Sequence, residues 1–308
     1  MGPVRNALGH KMTVYLVSTL TLVTITALAG LALNLQWGMG GLVNFGLFGF
    51  YMLGAYVCGL LTVQGVPPLV SLVAAMIGVA VLSALVSLIS VRLSEDYLAI
   101  VTLGFAECLR LFISYEEWLT RGTLGVAGIE RPFQGLVSAQ LADTVFLAFT
   151  LTAVGLVYVV LQALACSPFG RLVRAAREDS AVVEALGKSV LTVRFKVFAV
   201  GGAILGLAGS LHAFYYTYID PTQFGPIITA YAFMAVVIGG RGSNRGVLVS
   251  AFTLILVLEG SRFLVDLVPH LGSSELAAIR LILVGGGLVL LLIVKPNGFG
   301  KEPRSAEV

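Results

Sequence analysis

Ionisable side chains inside apolar stretches are the residues of this sequence most able to do chemistry. Glu107 and Arg110 stand three positions apart, and Glu259 and Arg262 repeat this spacing in a later apolar stretch. Residues three apart share one side of a helix, so each carboxylate can neutralise the neighbouring guanidinium. An unpaired charge at the centre of a membrane helix costs about 2.5–3.5 kcal/mol. Two hypotheses follow, structural ion pairs and carboxylates on a transport pathway.

A basic segment lies between two apolar stretches, with the sequence SPFGRLVRAAREDSAVVEALGKSV at 167–190. Pro168 suits the first turn of a helix and Gly187 suits its end. Apolar residues recur at helical spacing, and the arginines lie largely on another side. One interpretation is a solvated loop that follows the positive-inside rule. The length and the capping residues instead favour a cytoplasmic helix that docks in a groove of another protein.

No combination of residues predicts a catalytic centre, a metal site or a bound cofactor. The cysteines Cys58, Cys108 and Cys166 are scattered and form no CxxC pair. Residues 187–189 resemble the last three residues of a phosphate-binding loop. The first glycine of that motif is missing, because Val182 occupies its position. The net charge of +3 is far below that of a typical nucleic-acid-binding protein. We therefore expect a protein that is not an enzyme and does not bind nucleic acid.

The amino-acid composition indicates whether the protein is surrounded by water or by lipid. The chain has 308 residues, of which 58% are hydrophobic and 11% charged, and its mean hydropathy is +0.98. A soluble domain has roughly a quarter of its residues charged. The scarcity of charge excludes a soluble domain, and the high hydrophobicity excludes a disordered chain. We expect one transmembrane domain over 1–308, lying in the lipid bilayer.

Apolar stretches of about 20 residues cross a bilayer as helices. Clear examples are 12–35, 67–91, 97–115, 142–165, 194–217, 246–266 and 276–294. Shorter apolar stretches lie at 37–63 and 227–240. The sequence thus predicts an all-α, multi-pass inner-membrane protein of about 8–10 helices, some of them short or broken half-helices.

Lysine and arginine near the ends of these stretches predict the orientation. The densest basic stretch, 166–196, is placed in the cytoplasm. Basic residues near the two termini predict that both termini are cytoplasmic too, namely Arg5, Lys11, Lys295, Lys301 and Arg304.

With this orientation, the helix 12–35 runs from the cytoplasm to the outside of the cell and the helix 67–91 runs back. The stretch 37–63 between them must therefore start and end on the outer side of the membrane. The stretch is too short for two full helices, and its glycines favour two half-helices or a re-entrant pair. The short stretch 227–240 also ends in glycines. Two such segments in the two halves of a chain are typical of an inverted repeat with a path between the halves.

The sequence resembles the branched-chain amino-acid permeases of bacterial ABC importers, and among them the LivM-type subunit. The segment 167–190 is similar to the cytoplasmic coupling segment of that family. The resemblance covers most of 40–260, including 41–57, 94–111, 198–225 and 236–252. Permeases of urea and amide importers are built on the same pattern, so the substrate is less well specified than the family.

The resemblance implies a permease without an ATPase of its own. It implies a sister permease as pore partner, two cytoplasmic ATP-binding subunits and a periplasmic substrate-binding protein. The coupling segment would enter a cleft of the ATP-binding subunit. Residues expected to contact that subunit through polar groups are Arg171, Arg174, Glu178, Asp179 and Glu184. Ala175, Ala176 and Val183 would supply the apolar side of the segment, and Gly187 its end.

A path for a substrate with an apolar side chain needs no high-affinity site of its own, because the binding protein provides selectivity. Residues expected on it are Asn44, Phe45, Phe48, Tyr51, Gly202 and Gly206. The pattern Gly202-x-x-x-Gly206 is typical of close helix packing, and lining of the path is the alternative interpretation. Two alternatives remain, a permease for urea or short amides and a secondary transporter in which carboxylates such as Glu107 bind the coupling ion.

Overall fold

The structure is a computed structural model that describes residues 2–90, 93, 95–135, 138–265, 285–286 and 300. Most of this part of the chain is helical. The α-helices are α1 (Gly2–Leu33), α2 (Leu47–Val63), α3 (Pro68–Ser90), α4 (Glu95–Tyr115), α5 (Glu117–Thr120), α6 (Ala139–Cys166), α7 (Pro168–Glu178), α8 (Ser180–Ala185), α9 (Val190–Tyr216), α10 (Pro226–Gly239) and α11 (Asn244–Val265). Two short strands, β1 (Val126–Ala127) and β2 (Tyr218–Ile219), pair antiparallel.

Within the described residues, six helices are long and apolar enough to cross a membrane, and α2 is a shorter apolar helix. This confirms the predicted all-α, multi-pass membrane protein. The predicted stretch 276–294 lies, apart from 285–286, outside the described residues. The inverted repeat and the single domain over 1–308 stay predictions.

One end of the bundle, which we call the α7 face, carries the helices α7 and α8. Arg177 of α7 donates a hydrogen bond from Nη1 to the carbonyl oxygen of Gly38 at 2.5 Å. Gly242, in the turn between α10 and α11, donates its N–H to the Asn34 side chain at 2.9 Å. Gly300 donates its N–H to the carbonyl of Gly239 at 2.9 Å. The end of α1, the α10–α11 turn and Gly300 therefore lie together near the α7 face.

The other end of the bundle, the opposite face, holds the strands and the turn after α9. Arg131 donates from Nε to the carbonyl of Phe214 at 3.0 Å and from Nη2 to that of Tyr215 at 2.7 Å. The same guanidinium bonds Asp143 near the start of α6 at 2.7 Å. The C-terminus of a helix carries a partial negative charge, which stabilises a cation bound to its carbonyl groups. Arg131 thus fixes the end of α9 to the beginning of α6.

The helix α1 runs antiparallel to α11, which places its two ends on different faces. Asn34 donates to the side chain of Asn244 at 2.9 Å, whereas Tyr15 donates to the carbonyl of Glu259 at 3.3 Å. Because α11 begins at the α7 face, Tyr15 lies toward the opposite face. The prediction that the N-terminus shares a side with 166–196 is wrong in this structure, since α1 crosses the bundle once without turning back.

The stretch 37–63 is one helix with an irregular lead-in. The chain leaves α1 as a π-helix, Asn34–Met39, and residues 41–44 belong to no helix or strand. A Cβ on Gly41 would lie 2.7 Å from the Arg177 side chain, whereas one on Gly59 would lie 2.9 Å from Ile129 near the opposite face. The stretch begins and ends on different faces. The predicted outside-to-outside pair of half-helices is therefore wrong, because α1 has already brought the chain to the α7 face.

The helix α9 lies at the centre and packs closely on α2 and α3. Ser83 of α3 donates its hydroxyl to the carbonyl of Phe198 at 2.8 Å. A Cβ on Gly206 would lie 2.8 Å from the carbonyl oxygen of Ala75, and one on Gly209 would lie 2.0 Å from that of Tyr51. These backbones approach so closely that only glycine fits between them.

Candidate functional site

The segment 167–190 begins and ends where its capping residues predict. Ser167 accepts a hydrogen bond from the N–H of Gly170 at 3.2 Å, and Pro168 occupies the first turn of α7. Gly187 follows the last turn of α8 with a φ of +75°, a conformation that side chains with a Cβ rarely adopt. These contacts depend on neighbouring residues alone, which is why the sequence indicates both ends.

Asp179 divides the segment into two helices where the sequence suggests one. Its carboxylate accepts from the N–H groups of Ala181 at 2.9 Å and Val182 at 3.2 Å, so it caps the N-terminus of α8. The break changes which side chains of α8 face outward. The side chain predicted to contact a partner is thus already engaged in a local capping interaction.

Two of the arginines in α7 donate hydrogen bonds to backbone carbonyls within this chain. Arg174 donates to the carbonyl of Ala165 at 3.1 Å, and Arg177 donates to that of Gly38 at 2.5 Å. Arg171 is exposed. Among the predicted polar contacts, Arg171 is therefore better placed than Arg174 to reach another protein.

The exposed side of α8 carries two apolar residues, of which the sequence interpretation included Leu186 in its apolar pattern and missed Val182. Val182 is 55% exposed and Leu186 74%, whereas Val183 is only 2% exposed and packs inside the bundle. The other exposed residues predicted to contact a partner are Arg171, Ala175, Glu178, Asp179, Glu184 and Gly187. The spacing of four between Val182 and Leu186 is the signal that could have revealed this side. Of the expected apolar side, Val183 packs inside this chain and Ala175 is exposed, as are Val182 and Leu186.

Most residues predicted for the path are buried within this chain. Asn44, Phe48 and Tyr51 are at most 3% exposed, and Phe45 is 40% exposed. Gly202 and Gly206 are buried as well, and a Cβ on Gly202 would lie 2.5 Å from Ser83. Of the predicted path residues, only Phe45 is substantially exposed.

A buried amide pair joins the π-helical end of α1 to the irregular lead-in of α2. Asn44 donates to the side-chain oxygen of Gln36 at 2.9 Å, and both residues are fully buried. Gln36 Nε2 and Asn44 Oδ1 have no hydrogen-bond partner among the described residues. A buried polar group without a partner costs about 1–3 kcal/mol. This pair therefore retains both a free donor and a free acceptor.

The charges inside the helices are engaged in local contacts. The Arg110 guanidinium binds both carboxylate oxygens of Glu107, at 3.2 Å and 3.0 Å from Nε, and also through Nη2. The hydroxyl of Tyr15 lies 3.5 Å from the Glu259 carboxylate. The Arg262 side chain lies outside the described part of the structure. Among the described residues, no cluster of three or more His, Cys, Asp or Glu could hold a metal ion.

Comparison with known proteins bears on the class of this helical bundle. The family model of the branched-chain amino acid transport system permease component matches residues 15–292. The chain belongs to this family. The match covers most of α1 and all the other long helices described above, so it includes the segment 167–190 and the irregular stretch before α2.

Curated members of the permease family match nearly the whole chain. The chain is 30% identical over 310 residues to the high-affinity branched-chain amino acid transport system permease protein LivM of Escherichia coli, covering 92% of this chain and 68% of that protein. It is 28% identical to a probable LivM permease of Methanocaldococcus jannaschii, covering 89% and 90%. The LivH permease of Escherichia coli is 28% identical, covering 94% and 95%. No solved structure matches the chain. The predicted LivM-type permease is thereby confirmed.

Proposed function

We propose that this permease forms part of the pore of an ATP-binding-cassette importer for branched-chain amino acids. The observation that carries the proposal is the pair Val182 and Leu186, left uncovered on a capped segment between two membrane helices. Apolar side chains flanked by the exposed Glu184 and Lys188 suit a protein partner at the bundle end. The substrate is taken from the names of the curated relatives, and the leucine, isoleucine and valine class follows from them.

The partners proposed for this permease supply ATP hydrolysis, the rest of the pore and the delivery of substrate. Two ATP-binding subunits would bind the exposed side of α7 and α8 and provide the hydrolysis. A sister permease would complete the pore as a heterodimer, and a periplasmic binding protein would deliver the substrate at the opposite face. The permease itself would then act without a cofactor and without catalytic residues.

The first prediction concerns the energy source. Vesicles containing this permease with its sister subunit, two ATP-binding subunits and the binding protein are expected to take up labelled leucine only when ATP is present on the side of the α7 face. Labelled urea serves as the competing substrate. Uptake of urea in preference to leucine would favour the amide-importer alternative.

Uptake driven by an ion gradient without ATP, and lost in Glu107→Gln, would overturn the proposed energy source. The ion pair argues against that outcome. Glu107 already binds Arg110 through both oxygens, so its carboxylate is not free to hold a coupling ion unless the pair separates.

The second prediction concerns orientation, with the α7 face, including Gly300, in the cytoplasm and the start of α1 outside. Met12 is 64% exposed and Leu186 is 74% exposed. In a background with Cys108 and Cys166 replaced by serine, a membrane-impermeant maleimide should label Met12→Cys in intact cells. Leu186→Cys should be labelled only after the cells are opened.

Cells for this labelling experiment should lack the ATP-binding subunits, so that the proposed partner does not shield Leu186→Cys. Equal labelling of both variants in intact cells, or the reverse pattern, would contradict the proposed orientation.

A further inference from the structure

A column of aromatic rings lines one exposed side of the bundle next to the irregular lead-in of α2. The ring centroids of Trp37 and Phe233 are 4.9 Å apart, and those of Phe45 and Phe233 are 5.0 Å apart. Phe45 is 40% exposed, and the other two rings are partly exposed. The guanidinium of Arg241 lies over the Trp37 ring, 4.3 Å from its centroid. The four side chains therefore form one continuous surface.

This column leads from the α7 face into the depth of the bundle. Arg241 lies in the turn at that face. The N–H of Phe45 bonds the hydroxyl of Thr102 at 3.1 Å, and Thr102 is seven residues after the start of α4 at Glu95. The start of α4 lies at the α7 face, because Leu98 in its first turn lines the same cavity as Gly41 and Arg177. At about 1.5 Å per residue, Phe45 is about 10 Å below that start. The column thus spans roughly a third of a hydrocarbon core about 30 Å thick.

The column differs in composition from a side of the bundle that suits lipid. The column combines three aromatic rings with the exposed guanidinium of Arg241, and a charge is costly beside the hydrocarbon of lipid. The exposed side of α3, by contrast, consists of aliphatic residues suited to lipid, namely Leu69, Val70, Val73, Ile77, Val81, Leu85 and Leu88.

The chemistry of the column matches a small molecule with an apolar side chain and a carboxylate. Aromatic rings bind apolar groups without requiring one particular shape. Arg241 has no hydrogen-bond or ion-pair partner in the described part of the chain, and its side chain is exposed. A guanidinium stacked on a ring keeps its N–H groups available for a carboxylate.

We propose that Trp37, Phe45, Phe233 and Arg241 form the cytoplasmic section of the substrate path. The rings contact the side chain of the amino acid in transit, and Arg241 receives its carboxylate as it leaves. This inference rests on the proposed importer function, and it adds the residues that touch the substrate. The selectivity of the path for apolar side chains is then carried by Phe45 and Phe233.

The test uses the complete reconstituted importer with the binding protein saturated by leucine or by valine. We expect Arg241→Gln to lower the maximal uptake rate of both at least fivefold, and Arg241→Lys to restore part of it. Phe233→Ala and the smaller change Phe233→Leu should shift the ratio of maximal leucine to valine rates at least threefold. A purely structural role would lower both rates together and leave this ratio unchanged.

Arg245→Gln is the matched control, because Arg245 is an exposed arginine near the same turn whose Nε bonds the Tyr158 hydroxyl at 3.1 Å, away from the aromatic column. Its uptake rates should equal those of the unmodified importer. ATP hydrolysis measured in parallel shows that each variant assembles with its partners. Unchanged rates in Arg241→Gln together with an unchanged ratio in both Phe233 variants would overturn the path. Failure of the unmodified importer to transport leucine would instead overturn the proposed function.

Discussion

Leu186→Asp is expected to reduce ATP-driven leucine uptake at least tenfold while the permease still inserts into the membrane. Leu186 is 74% exposed at the end of α8, and covering a leucine side chain contributes about 1.5–3 kcal/mol. Loss of that contribution alone weakens binding about tenfold or more. The introduced carboxylate adds the cost of burying a charge. Co-purification of the ATP-binding subunits with the permease, together with vesicle uptake, measures both consequences.

The matched control is Leu124→Asp, the same substitution on the opposite face. Leu124 is 82% exposed, so the change disturbs packing within the chain as little as Leu186→Asp does. Co-purification of the ATP-binding subunits should stay normal in this control. Normal co-purification and normal uptake in Leu186→Asp would contradict the proposal that the ATP-binding subunits dock on the exposed side of α8.

Gly209→Ala is expected to destabilise the folded permease strongly. A Cβ at this position would lie 2.0 Å from the carbonyl oxygen of Tyr51 and 2.8 Å from the N–H nitrogen of Ala55. Both are backbone atoms of α2, so relief requires α2 and α9 to separate. Overpacking of this kind costs about 1–3 kcal/mol and at times more. Thermal unfolding in detergent should show a lower melting temperature and less recovered protein.

Gly155→Ala provides the comparison, since it makes the same change in the middle of α6. A Cβ on Gly155 would meet no atom within 4 Å. Alanine in an open helical position is favoured over glycine by about 0.5–1 kcal/mol, so this variant should melt at the same or a higher temperature. If Gly209→Ala were as stable as Gly155→Ala, the close contact between α2 and α9 would be contradicted.

The helix limits could largely be predicted because length and hydropathy are local properties. The stretch 67–91 corresponds to α3, Pro68–Ser90, and 142–165 lies within α6, Ala139–Cys166. The ends of the segment 167–190 also follow from neighbouring residues, through the Ser167 cap and the left-handed Gly187. No distant contact is needed for any of these features.

The direction of α1 depends on distant contacts, whereas the outward side of α8 depends on where Asp179 breaks the segment. The sequence interpretation placed the start of α1 and the side chain of Val183 wrongly. The basic residues Arg5 and Lys11 lie within α1 itself, and their positive-inside signal does not record that Tyr15 meets Glu259 at the far end of α11. The helical phase of α8 is reset by the Asp179 cap, which exposes Val182 and buries Val183. The aromatic column likewise brings Trp37 and Phe233 together from distant parts of the chain.

The hydrogen bond from Arg177 to Gly38 connects α7 directly to the end of α1 at the α7 face. From Gly38 back to Tyr15 the chain is continuously helical, a length of about 35 Å at about 1.5 Å per residue. A tilt of about 10° at the Gly38 end would move Tyr15 by about 6 Å over that length. A small rotation of α7 against the bundle would thus displace the ends of α1 and α11 at the opposite face without any local unfolding.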